Sequence, residues 1–162
     1  MVAPAYRKDY ARNQNIRLLA VASSGGHWEQ LMQLKEVLNR FSLTIAVTDV
    51  ALAEHGGFTD VHLIADSNRS TPIAALRSLR DAFRTVLAVR PNCIITTGAL
   101  PGFWCLVAGR LVGAQTIWLD SIANSERLSV CGRLSALVAH HRLTQWKHLA
   151  LEPRITYAGS LL

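Results

Sequence analysis

Long apolar runs are missing from this chain. The longest uncharged apolar stretch, residues 99–109, is interrupted by Pro101 and Gly102 and closed by Arg110. A helix that spans a bilayer needs about 20 apolar residues, so no span is expected. The first 16 residues are polar and basic, with Arg7, Lys8 and Arg12, and they lack the apolar centre of a secretory leader. They read as a mobile basic arm ahead of the first strand. Cysteine is scarce as well. Cys93, Cys105 and Cys131 are odd in number, without Cys-x-x-Cys spacing, in apolar or helical surroundings. This argues against a disulfide framework or a zinc site and for reduced thiols in a cytoplasmic protein. Acidic residues are outnumbered, 11 Asp and Glu against 17 Lys and Arg, for a net charge of +6. Such a balance points to an anionic partner, be it phosphate, acidic lipid or nucleic acid. Internal repeats and low-complexity tracts are absent.

What the chain does have is apolar content at 50% of 162 residues, enough for one domain with a substantial core. One folded unit is expected over residues 17–162. Apolar, β-rich runs recur at 17–22, 43–47, 61–64, 93–97, 116–119 and 142–145, with helical periods between them. Near-continuous apolar strands alternating with helices predict a single α/β, Rossmann-like domain whose mainly parallel sheet is covered on both faces. Ligands of such sheets collect at the carboxyl ends of the strands, so the loops there carry the functional argument.

The first of these loops is Ser23-Ser24-Gly25-Gly26-His27-Trp28-Glu29. Glycines allow a tight turn and close ligand approach, and a helix N-terminus behind them offers free N–H groups to an anion. The third glycine of the dinucleotide fingerprint and the Gly-Lys-Ser/Thr of a P-loop are both lacking. Taken alone, the glycine pair fits a phosphate site and a plain chain turn equally well. A helix is expected over 26–40, with Leu31, Leu34 and Leu38 inward and Lys35 and Glu36 outward. Asp49 suits either a ribose contact or a helix cap, and the cap is preferred. Ser70-Thr71-Pro72 opens a helix that runs to Val89. On it Ile73, Leu76, Phe83 and Leu87 form a predicted core stripe beside Arg77, Arg80 and Arg84. That basic stripe suits an anionic membrane or a lipid diphosphate, or is simply a solvated face. Thr96-Thr97-Gly98-Ala99-Leu100-Pro101-Gly102 repeats the pattern of strand end, glycine and helix start, a second anion-accepting end. Asp120 and Ser121 share the next strand edge, where Asp120 alone suits a loop anchor better than a base. His140 and His141 have no acidic or cysteine ligand near in sequence and read as structural. Gln145-Trp146 closes a further strand beside the cleft, and the last element is expected over 155–158.

An ordered series emerges from Ser24-Gly25-Gly26-His27-Trp28-Glu29, Arg90-Pro91-Asn92 through Thr97-Gly98, Trp118-Leu119-Asp120-Ser121-Ile122-Ala123, Leu128-Ser129 with Gly132-Arg133-Leu134, Thr144-Gln145-Trp146 and Tyr157-Ala158-Gly159-Ser160. From residue 17 to 160 the chain resembles the acceptor-binding subunit of split N-acetylglucosaminyltransferases, the asparagine-linked-glycosylation subunit and its bacterial exopolysaccharide counterparts of the PssD type. It is also similar to the N-terminal half of the peptidoglycan-precursor N-acetylglucosaminyltransferase. The resemblance implies one half of a GT-B glycosyltransferase, with a partner subunit holding most of the nucleotide-sugar site. It implies inverting transfer from a UDP-sugar to a lipid-diphosphate saccharide in polysaccharide biosynthesis. Neither a cofactor nor a metal nor nucleic acid is implied, and the expected location is the cytoplasm, peripheral at the inner face of the membrane.

An inverting displacement needs a base for the acceptor hydroxyl, and imidazole suits that task at neutral pH. His27 is the first candidate, Glu29 its support or substitute, and Asp120 the third. Ser24, Gly25, Gly26, Thr97, Gly98, Gly102 and Ser121 are the candidate acceptor and phosphate contacts, with added charge from Arg77, Arg80 or Arg84. The eukaryotic subunit carries a membrane anchor where residues 1–16 are polar, so recruitment is expected through the partner, the basic surface or an amphipathic face. Two rival readings stand: a non-catalytic module that recruits or stabilises a catalytic partner, and a free-standing phosphate-binding α/β protein.

Overall fold

A computed structural model describes residues 13–67, 72–151 and 153–161. The arm up to residue 12 and the Ser70-Thr71 helix start lie outside the described residues. Strand β1 is Asn13–Ala22, four residues longer at its start than the apolar run, followed by helices α1 Gly26–Gln33 and α2 Lys35–Leu38. Next come β2 Phe41–Val47, α3 Val50–His55 and β3 Val61–Leu63. Helix α4 Pro72–Val89 crosses to β4 Cys93–Thr96, and α5 Ala99–Leu111 leads to β5 Gln115–Leu119. Helix α6 Val130–Leu134, β6 His141–Thr144 and β7 Thr156–Tyr157 complete the order, with single 3-10 turns before and after β6.

The strands form one seven-stranded sheet in the order β3-β2-β1-β4-β5-β6-β7, parallel at every pairing. Alternation along the later part of β1 shows why residues 18–22 are all apolar. Leu19 and Val21 pack into one core with Phe103, Leu106 and Val86 of α5 and α4. Leu18, Ala20 and Ala22 point to the other face and pack with Trp28, Leu31 and Ala53 of α1 and α3. Both faces of the strand are covered, so no position needs to be polar. Full burial of Trp118, Leu19, Leu31 and Ile45 contributes roughly 1.5–3 kcal/mol per large side chain.

Two helices depart from expectation. The segment 26–40 is not one helix, since the chain steps out of α1 at Leu34, with φ −92 and ψ −1, before α2 begins. Leu31 and Leu38 are still buried. In α4 most of the predicted core stripe is turned outward: Ile73, Leu76 and Leu87 are 71%, 67% and 58% exposed, and of its members Phe83 alone packs against the core. The buried face is Ser78, Ala82, Thr85 and Val86, which share one side of the helix at 100° per residue. Small residues there let α4 seat closely between the sheet and α5, and the bulkier apolar side is left facing out. Asp49 caps α3 as preferred, accepting from the Ala51 N–H at 3.0 Å.

Candidate functional site

After β1 the chain turns to one side of the sheet, and after β4 to the other, so the β1 and β4 carboxyl ends open a crevice between their loops. The glycine loop after β1 and the Thr97-Gly98 turn after β4 both sit there. Gly25 has φ +73 and precedes α1, and Gly98 has φ +136 and precedes α5, neither helix receiving a side-chain cap. In α1 the backbone N–H groups of Gly26, His27 and Trp28 precede the first intrahelical bond, from Glu29 to Gly25 O at 3.1 Å. Two uncapped helix N-termini therefore meet at one crevice. A Cβ on Gly25 or Gly26 would meet nothing within 4 Å, so the space above that loop is open. The loop is itself anchored, with the Ser24 N–H donating to Thr48 Oγ1 at 2.9 Å.

His27 joins the two loops. Its Nδ1 lies 2.8 Å from the Thr97 carbonyl oxygen, and a carbonyl can only accept, so Nδ1 carries the proton and Nε2 the lone pair. In return Thr97 Oγ1 donates to the His27 carbonyl at 2.7 Å. The imidazole lies on Gly98, whose hypothetical Cβ would fall 2.7 Å from Nδ1. On one side of His27 a cleft of about 420 Å³ is bounded by α1 and Ser121, Ile122 and Ala123. On the other, a hollow of about 290 Å³ is bounded by Ala99, Asn124, Val130 and Cys131.

The remaining predicted residues divide. Glu29 is exposed and lines the larger cleft, but among the described residues the partner that orients His27 is the Thr97 carbonyl, not this carboxylate. Ser121 lines both hollows. Asp120, the third base candidate, is 2% exposed and lines neither. It accepts from Trp118 Nε1 at 3.0 Å, Ser129 N at 3.2 Å and Ser129 Oγ at 2.7 Å, which makes it the anchor of the loop before α6. Thr97 is fully buried, its hydroxyl and carbonyl committed to His27. The Gly98 N–H donates to Thr96 Oγ1 at 3.2 Å. Gly102 is buried under Thr96, whose Cβ would lie 2.9 Å from an added Cβ. Its absent side chain lets α5 approach β4, a packing role in place of the predicted phosphate contact. Arg77, Arg80 and Arg84 are exposed on α4, away from the residues that line either hollow, and Arg80 pairs with Asp81 at 3.0 Å.

Gln30 is the residue that sequence reasoning missed. It is buried on α1 and donates from Nε2 to Ser121 Oγ at 2.9 Å. Its partners lie about a hundred positions away in sequence, so no local pattern could mark it. Trp146, expected beside the cleft, donates from Nε1 to the Ile122 carbonyl at 2.8 Å. His140 bonds Thr116 and Arg110 at the amino edge of the sheet, apart from the site. Among the described residues no three His, Cys, Asp or Glu side chains converge where a metal ion could sit. No helix among them is long and apolar enough to cross a membrane.

The parallel seven-stranded sheet, with its crevice at the point where the strand order reverses, is the architecture of the N-terminal Rossmann-like half of GT-B enzymes. MurG of Acinetobacter baumannii superposes with a TM-score of 0.71 at 12% identity, covering 88% of this chain and 45% of MurG. MnaA of S. aureus, solved with UDP, matches with a TM-score of 0.69 at 11% identity, over 90% of this chain and 44% of MnaA. A glycosyltransferase of Rickettsia africae gives 0.61 at 13% identity, over 89% of this chain and 42% of its own. The chain thus spans less than half the length of each, and the likeness is one of fold. No family model and no curated protein sequence matches the chain.

Proposed function

We propose that the chain forms the acceptor-binding half of a two-component inverting glycosyltransferase, with His27 as general base. The observation that carries this reading is the His27 imidazole at the crevice, its Nδ1 proton committed to the Thr97 carbonyl and its Nε2 without a partner among the described residues. In the reaction, Nε2 takes the proton of the acceptor hydroxyl while that oxygen attacks the anomeric carbon of a UDP-sugar. The new C–O bond forms on the face opposite the breaking bond to UDP, which departs with the electron pair. The free N–H groups at the start of α1, with those of Ala99 and Leu100 at the start of α5, suit the diphosphate of a lipid-linked saccharide. Glu29 and Ser121 face the same space and suit sugar hydroxyls. A partner subunit supplies the UDP-sugar site and closes the cleft.

The outer face of α4 supports recruitment to an anionic membrane surface. Ile73, Leu76 and Leu87 are exposed there beside Arg77 and Arg84, which make no ion pair among the described residues. Apolar side chains that enter the interface beside arginines that meet lipid phosphates are the recipe for peripheral binding.

The test is transfer of radiolabelled sugar from a UDP-sugar to a lipid-diphosphate saccharide, with and without the donor-binding partner. Transfer is expected only with both chains. In the complex, His27→Ala is expected to lower turnover at least about 100-fold, with co-elution of the two chains unchanged. Wild-type turnover by that variant removes the base assignment. Wild-type turnover by the partner alone would make this chain a recruiting module instead.

A further inference from the structure

The glutamine pair at the floor of the cleft has a role of its own. The Ile122 N–H points to one end of the Gln30 amide at 3.2 Å and the Leu161 N–H to one end of the Gln145 amide at 3.1 Å. Backbone N–H groups can only donate, so both ends must be oxygen and the orientation of each amide follows without choice. Gln145 Nε2 then donates to Gln30 Oε1 at 2.8 Å and to the Asp120 carbonyl at 3.2 Å. Gln30 Nε2 donates to Ser121 Oγ at 2.9 Å. Every link runs donor to acceptor, and reversing either amide would set donor against donor. Both glutamines are under a tenth exposed, Gln30 at 7% and Gln145 at 4%, so a lost link leaves a largely desolvated polar group.

We infer that Gln30 and Gln145 are positioning residues that bind the segment after β7 to helix α1 and hold His27 and the Ser121–Ile122 backbone as one rigid wall of the cleft. Gln30 lies three residues after His27, on the neighbouring helical turn. Helix α1 has no side-chain cap at its start. Its register at the crevice is therefore set by the Thr97 contact in its first turn and by the glutamine pair in the next. The catalytic part of this inference rests on the reading of His27 as the base, whereas the coupling itself does not.

The donor order says which substitutions break the chain of bonds. Gln30→Met removes the acceptor that Ile122 and Gln145 share. Gln145→Glu sets an oxygen against Gln30 Oε1 and the Asp120 carbonyl, and Gln145→Met removes the donor without adding charge. In the complex with the donor-binding partner, Gln145→Glu and Gln145→Met are expected to lower kcat about tenfold or more. Their KM for the UDP-sugar should stay within about twofold, and Gln30→Met should lower kcat by a similar factor. Amide hydrogen exchange on the same samples should quicken about tenfold at Ile122 and along α1 in both Gln145 variants, and stay unchanged along β2. Wild-type kcat in either Gln145 variant, or faster exchange confined to Leu161, overturns the inference. If wild type shows no transfer while exchange follows this pattern, the activity reading falls and the coupling stands.

Discussion

Gly98 and Gly102 look alike in sequence, two members of one glycine-and-proline helix start, yet they have different physical tasks. At Gly98 a side chain would strain a backbone at φ +136 and press on the His27 ring. Gly98→Ala is therefore expected to cost at least about 100-fold in turnover, read in the transfer assay, with the fold retained by circular dichroism. At Gly102 an added methyl presses on Thr96 inside the sheet–helix contact. Gly102→Ala is expected to lower unfolding free energy by about 1–3 kcal/mol in urea, with turnover per folded molecule kept. The sequence marked both as glycine loop, because the partners that separate them, His27 and Thr96, come from the fold. Asp120 and Gln30 teach the same lesson in opposite directions. A carboxylate at a strand end resembles a base until its Trp118 and Ser129 bonds are seen, and a glutamine on an amphipathic helix resembles surface until its partners arrive from two distant loops.

Among the elements, the strands and the span of α4 were legible and the buried face of α4 was not, for one reason. The run 18–22 in β1 is buried on both faces, so it is wholly apolar and the pattern needs no decision about sides. On α4 the periodicity marks which side is apolar, but burial is decided by which side fits, and the small Ser78, Ala82 and Thr85 fit against the sheet and α5. The break at Leu34 was invisible because leucine is a good helix former. The outward apolar side leads to a prediction for this element. Wild type should co-sediment with vesicles containing anionic lipid, less so at high salt. Ile73→Asp with Leu76→Asp should lose that binding while the unfolding free energy moves by no more than about 0.5 kcal/mol per site. Vesicle binding by that double variant at wild-type strength would remove the membrane role of α4.

For the whole molecule, the architecture could be read from the alternation of runs and helices, and the crevice from the rule that ligands gather at strand ends. The pairing of loops across it could not, since β1 and β4 become neighbours only when the sheet forms. The amino edge of the same sheet carries a pH dependence. Partial desolvation, then the charges of Arg110 and His141, hold His140 below the ordinary histidine value of 6.5. The folded chain thus binds fewer protons than the unfolded one between that lowered value and 6.5. Stability from this group is present above 6.5 and lost as pH falls through that window. Urea unfolding at several pH values should show the decline, and His140→Gln should make it shallower. At the opposite edge, the group that fixes the His27 tautomer is a main-chain carbonyl. Every residue that could replace Thr97 brings the same carbonyl with it. The proton acceptor is aligned by the sheet itself, so sequence drift at position 97 can weaken the return bond from the hydroxyl without erasing the alignment.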